Sequence, residues 1–169
     1  PLTPPKITLR PASEAEVARV RGDWERGEAM LLASRFPDIA AKYSAKASRT
    51  LRTAHLHDAS DTRLTEVLAL LEFEQGENAT ALRLLEESTA AGQGRPRAWF
   101  TLAHLRLLYL NARLGAKAPL SREDALTVLL PLEQALRQEP AMAVAFELAA
   151  ELWRRAPDLP AEEMLRHLQ

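Results

Sequence analysis

Apolar residues recur every three or four positions over most of this chain, and strict alternation is confined to residues 6–10, so the pattern predicts helices almost throughout. Ser13-Glu14-Ala15-Glu16 has the form of a capping box, in which a hydroxyl and a carboxylate each take one orphan backbone N–H, and a helix should start there. Along that helix Val17, Val20, Trp24 and Leu31 share one stripe, with Gly27 on the same side where a neighbour could approach closely. A second helix over about 38–57 puts Ile39, Tyr43, Ala47, Leu51 and Ala54 on one arc, with Lys42, Lys46, Arg49 and Arg52 opposite.

Gly76 interrupts two strongly helical runs, TRLTEVLALLEFEQ and ENATALRLLEESTAA. Glycine costs about 1 kcal/mol relative to alanine inside a helix, so its place is at a helix end, where a left-handed residue turns the chain back into a helical hairpin. Pro96 suits the first turn of the next helix, which runs to about Arg113. Ser121 caps a longer helix that Pro131 should kink. Two more helices follow, one after Pro140 and one after Pro160. The sum is an all-α chain of eight helices in four antiparallel pairs, approximately 13–57, 60–91, 96–138 and 141–169, forming a single domain over 13–169.

The pairs share a register. With Gly76 at an inter-helix turn, Leu68 and Ala69 precede it as a Leu-small step, and Ala81, Leu85 and Ser88 follow with A-x3-[large]-x2-[small] spacing. Trp99, Leu102 and Ala103 give W-x2-L-[G/A], Ala135 and Pro140 have the spacing of a repeat end, and Phe146, Ala149, Ala150 and Trp153 give F-x2-A-A-x2-W. Ala47, Leu51 and Ala54 stand one repeat before Ala81, Leu85 and Ser88. Over residues 38–156 the sequence resembles the tetratricopeptide repeats, whose unit of about 34 residues follows this pattern. It departs from them in having Thr65 at the Trp position, no Pro closing the second unit, and a third unit longer than the repeat. The resemblance implies a right-handed array of about four antiparallel helix pairs, a TPR-like α-solenoid. In such an array Ala69, Ala81, Ala103 and Ala150 would let helix backbones approach, and Leu85, Trp99, Leu132 and Phe146 would fill the gaps between them.

Charge and composition narrow the chemistry. The net charge is −1, but residues 1–57 hold ten Lys or Arg against six acids, a balance of +4, which leaves −5 for residues 58–169. Without cysteine there is no disulfide, thiolate metal site or cysteine nucleophile. His55 and His57 lie two apart and point to nearly opposite sides of a helix, so they make no metal site. Adjacent acids such as Glu86-Glu87 and Glu162-Glu163 diverge on helices and read as solvated faces. Gly92-Gln93-Gly94 follows no strand and completes no phosphate-binding fingerprint, and G-x-S-x-G is absent. No enzymatic activity, cofactor or metal is expected. No apolar run reaches the ~20 residues of a membrane span.

The opening PLTPPKITLRP reads as a Pro-rich tether over 1–12, cut from a longer protein. The Ala/Arg/Leu-rich composition points to a bacterial parent, with cytoplasm and periplasm both open. The family resemblance implies a concave groove that binds a protein or peptide partner. Carried over by position, it would be lined by Arg63, Glu66, Leu70 and Phe73, by Arg97, Phe100, His104 and Leu107, and by Glu147 and Glu151. Leu70, Phe73, Phe100 and Leu107 form an apolar strip that suits either an amphipathic segment or packing within the stack. The Lys and Asn clamp that some members use for chaperone tails is not matched, since Glu66 and Leu70 stand there. Two other readings are a structural appendage of an enzyme lying upstream, and an anion or nucleic-acid binder through the basic face Lys42, Lys46, Arg49 and Arg52. The near-neutral pI and the lack of interleaved aromatics argue against nucleic acid.

Overall fold

The computed structural model describes residues 10–90 and 92–168. Among them lie eight helices and no strand: α1 Glu14–Leu32, α2 Pro37–His57, α3 Thr62–Glu74, α4 Asn78–Thr89, α5 Pro96–Leu114, α6 Arg122–Gln138, α7 Ala143–Arg155 and α8 Ala161–His167. Most of the expected tether lies outside the described residues. The helices form two compact units, one reaching to Leu64 and the other beginning at Thr65, within the first turn of α3.

Local signals set the helix ends. Ser13 Oγ accepts from Glu16 N at 3.1 Å and Glu16 Oε2 accepts from Ser13 N at 2.8 Å, completing the capping box. The Arg10 guanidinium and these Ser13 bonds hold the Glu16 carboxyl down at about 2. Asp61 Oδ1 caps α3 by accepting from the amides of Arg63 and Leu64. At the far end of α3, Gly76 has φ +81°, Gly76 N donates to Phe73 O at 3.0 Å and Glu77 N to Glu72 O at 2.9 Å. That pair of bonds is a Schellman motif, which satisfies carbonyls the helix leaves open.

In the first unit α1 packs on α2, and its buried residues are Gly22 and Glu25. The apolar stripe of α1 faces outward instead: Val17, Val20, Trp24 and Leu31 are all more than half exposed. A Cβ on Gly22 would come within 2.4 Å of Leu51 Cγ, so the two backbones meet where a side chain is missing. This close approach fixes which face of α1 turns inward. On α2, Ala47, Leu51 and Ala54 are buried as their arc predicts, while Ile39 is exposed.

The second unit contains the larger core. Leu107, Leu110, Val128, Leu129, Leu132, Leu148, Leu152 and Met164, from α5 to α8, belong to one buried cluster. Buried alanines bring the helices close, with Ala81, Ala98, Ala103, Ala125, Ala135 and Ala145 fully enclosed. Of the expected gap fillers, Leu85 and Leu132 are buried and Trp99 is half-buried, but Phe146 is 43% exposed. Ala150, expected at a close helix approach, is exposed as well. The inward stripe of α7 is Ala145, Leu148, Ala149 and Leu152, and Phe146, Ala150 and Trp153 fall outside it.

Pro131 sits in mid-helix on α6 and has no N–H for the carbonyl of Thr127. That carbonyl accepts from Arg106 Nη1 of α5 at 2.9 Å, and Arg106 Nη2 donates to Glu86 of α4 at 3.1 Å. A single guanidinium thus replaces a missing helix bond and ties three helices. Arg106→Ala is expected to lower stability by about 1 kcal/mol. In a Pro131→Ala background the loss should shrink, because the restored amide serves Thr127. Urea denaturation of the four species of the cycle measures this coupling.

Candidate partner-binding surface

Three of the ten groove positions come together in space. Phe73 of α3 meets His104 of α5 edge to face, with ring centroids 5.8 Å apart and planes at 78°. Phe100 lies one turn before His104, at 6.2 Å and 32°. All three are half-buried, so they offer ring surface without being loose. Arg97, on the same stripe of α5 as Phe100 and His104, pairs with Glu74 of α3 at 3.6 Å. The result is a small aromatic and imidazole surface with an ion pair carried on the same two helices.

The other positions have different surroundings. Leu70 and Leu107 are 3% and 4% exposed and belong to the interior, so the apolar strip divides into an accessible aromatic part and a core part. Glu66 is buried at 1% and accepts from the backbone N and Nε of Arg95, so its charge is already matched within the protein. Arg63 is exposed in the first turn of α3. Glu147 is exposed on α7, and Glu151 accepts from Arg155 Nη1 at 3.3 Å. Sequence reasoning misses the partners Glu74 and Arg95. The only signal for Arg95 is its place beside Gly94, where the chain enters α5.

The basic face of α2 is engaged in part within the protein. Lys42, Lys46, Arg49 and Arg52 are exposed, but Lys46 Nζ lies 3.0 Å from Glu25 Oε1 of α1. Glu25 is fully buried and also accepts from Arg21 Nε at 3.0 Å and Thr50 Oγ1 at 3.3 Å. Burial works to raise the Glu25 pKa, and the hydrogen bonds from Lys46 and Arg21 more than reverse it, so the carboxyl titrates below its ordinary range. A depressed folded-state pKa gives stability that is present above the unfolded value and lost as pH falls through the folded one. Stability of the α1–α2 pair should therefore decline below about pH 4. Glu25→Gln should flatten that decline, as read by amide hydrogen exchange in α1 and α2 across pH.

Among the described residues no group of three or more His, Cys, Asp or Glu side chains could hold a metal ion, and no helix is long and apolar enough to cross a membrane. Compared with known proteins, the chain matches no family model, no curated protein and no solved structure.

Proposed function

We propose that this chain is a non-catalytic interaction module of a larger protein, built as a TPR-like array, which holds a partner segment against α3 and α5. The observation that carries the reading is the half-buried cluster of Phe73, Phe100 and His104, supplied by two helices in corresponding places of successive pairs. Rigid aromatic rings seated this way make good anchors for a partner's apolar side chain, because little rotamer freedom is lost on binding. The pairing of helices supports the array. Arg113 near the end of α5 bonds Asp124 near the start of α6 at 2.5 Å, and Gln138 at the other end of α6 bonds Gly94 O just before α5 at 2.9 Å. Those two contacts support opposite directions for α5 and α6. In the first unit the Gly22–Leu51 and Glu25–Lys46 approaches do the same for α1 and α2.

The test uses peptides selected against the whole chain from a displayed library. Phe73→Ala with Phe100→Ala should weaken selected binders by about tenfold or more, equivalent to ~1.4 kcal/mol, while circular dichroism keeps its helical form. Undiminished binding by the folded double variant refutes the assignment. Leu70 and Leu107 are left intact because their replacement would open the core.

A further inference from the structure

Packing leaves one stripe of α7 in the open. Phe146 is 43% exposed and Trp153 48%, Ala150 lies exposed between them, and a notch of about 330 Å³ is lined by Ala150, Trp153 and Arg154. With the exposed Ala143 the positions run 143, 146, 150 and 153, a spacing that keeps them on one helix face over about 15 Å. Small and large side chains alternate along it. Such a seam takes a knob from a facing helix, since each alanine leaves a hole that the neighbouring rings wall in.

Charge selects the occupant. Glu147 and Arg154 are exposed on one flank of the seam, about 10.5 Å apart along the axis and too far to pair with each other. Among the described residues neither has an ion-pair partner, whereas Glu151 and Arg155 of the same helix are matched to one another. These two acids and two bases make α7 neutral, so the acidic surplus of residues 58–169 lies on other elements. A partner surface of one sign would satisfy one end of this flank and repel the other. A second α7 running the opposite way satisfies both ends, because Glu147 of each copy meets Arg154 of the other across a two-fold axis. The same register seats the rings. With the axis between Glu151 and Leu152, Trp153 of each copy stands level with Ala150 of the other, and Glu147 and Arg154 are offset by about 3 Å along the helix, within reach of an arginine.

The geometry points to a self-pairing surface: α7 docks antiparallel on α7 of a second copy of this chain, with Trp153 over Ala150 and reciprocal Glu147–Arg154 ion pairs. One helix pair of this length makes a weak, concentration-dependent dimer rather than an obligate one. The surface uses no residue of the aromatic cluster of α3 and α5 and does not depend on its role.

The test is sedimentation equilibrium of the intact chain from about 1 µM to about 1 mM, with circular dichroism to confirm that each variant is folded. A reversible dimer is expected, and Trp153→Ala should weaken it about tenfold. Glu147→Arg and Arg154→Glu should each weaken it about fivefold, because each sets like charges together at both ends of the contact. Mixed in equal amounts, those two single variants should recover association as a heterodimer, since each carries the sign the other needs. Glu147→Arg combined with Arg154→Glu in one chain should pair with itself again. Should Trp153→Ala fail to fold, the charge variants, which alter only exposed residues, decide the matter. The inference is overturned if the chain stays monomeric over the whole range, or if folded Trp153→Ala or the single charge reversals associate as the unaltered chain does. It is equally overturned if the unaltered chain dimerises while the mixture of single variants stays monomeric.

Discussion

Replacing Gly22 by alanine is expected to destabilise the α1–α2 pair by about 2 kcal/mol or more, against the helix-propensity gain of about 1 kcal/mol that the same change brings at an open helical site. The new methyl group would stand 2.4 Å from Cγ and 2.5 Å from Cδ2 of Leu51, a side chain that is itself fully buried. Neither side can yield cheaply: Leu51 has no open space to swing into, and moving α1 away would disturb the Glu25 bonds to Lys46 and Thr50. Gly27 is the internal control. It lies in the same helix, and a methyl group added there would meet nothing within 4 Å, so Gly27→Ala should be neutral or stabilising. Leu51→Ala alone removes a core side chain and costs about 2–5 kcal/mol. Combined with Gly22→Ala it should cost less than the sum, because the alanine methyl then occupies room that leucine gave up. Thermal and urea denaturation of the four species, with hydrogen exchange in α1 and α2, measures the cycle.

Gly22 also shows where the sequence is readable and where it is not. The eight helices follow from signals that act within a few residues: the Ser13 and Ser121 caps, Pro37 and Pro96 in first turns, and glycine with positive φ at 76. Which face of a helix turns inward is a different question, since it depends on what the neighbouring helix offers. For α1 hydrophobic periodicity marks Val17, Val20, Trp24 and Leu31, yet a glycine and a glutamate carry the contact. A glycine counts for nothing on a hydrophobicity scale and a glutamate counts against burial, so the pattern cannot register a face built from backbone proximity and a matched charge. On α7 the repeat register selects Phe146, Ala149, Ala150 and Trp153, packing selects Ala145, Leu148, Ala149 and Leu152, and Ala149 alone is common to the two sets.

The candidate groove is legible in the same partial way. Position marks Phe73, Phe100 and His104, and these do meet, because one helical stripe on each of α3 and α5 contains them. Leu70 and Leu107 belong to stretches buried on more than one side, where Val67 to Leu71 and Ala103 to Leu107 supply interior residues around the helix. Single-helix periodicity loses its meaning in such segments. The matched charges Glu66–Arg95 and Glu25–Lys46 pair residues distant in sequence, and no local pattern announces them.

Arg155 is the position in the second unit whose loss should be felt most. Its side chain is 8% exposed and donates to Ala118 O at 3.1 Å, Gly115 O at 3.2 Å, Asn111 Oδ1 at 2.6 Å and Glu151 Oε1 at 3.3 Å. Its own carbonyl accepts from Leu120 N at 2.6 Å. The segment between α5 and α6 has no secondary structure to satisfy its backbone, so the guanidinium at the end of α7 takes that part for two of its carbonyls. Arg155→Ala removes these donors together and leaves poorly solvated acceptors behind, at an expected cost of about 3 kcal/mol. Arg155→Lys should recover less than half of it, since one ammonium cannot reach acceptors spread around a planar fork. Arg155→Met separates packing from hydrogen bonding: it restores much of the buried chain length, so recovery beyond that of lysine would mean the side chain acts mainly as filler. Urea denaturation gives the total, and faster hydrogen exchange at Ala118 and Leu120, without matching change in α1, places the loss in the loop that Arg155 holds.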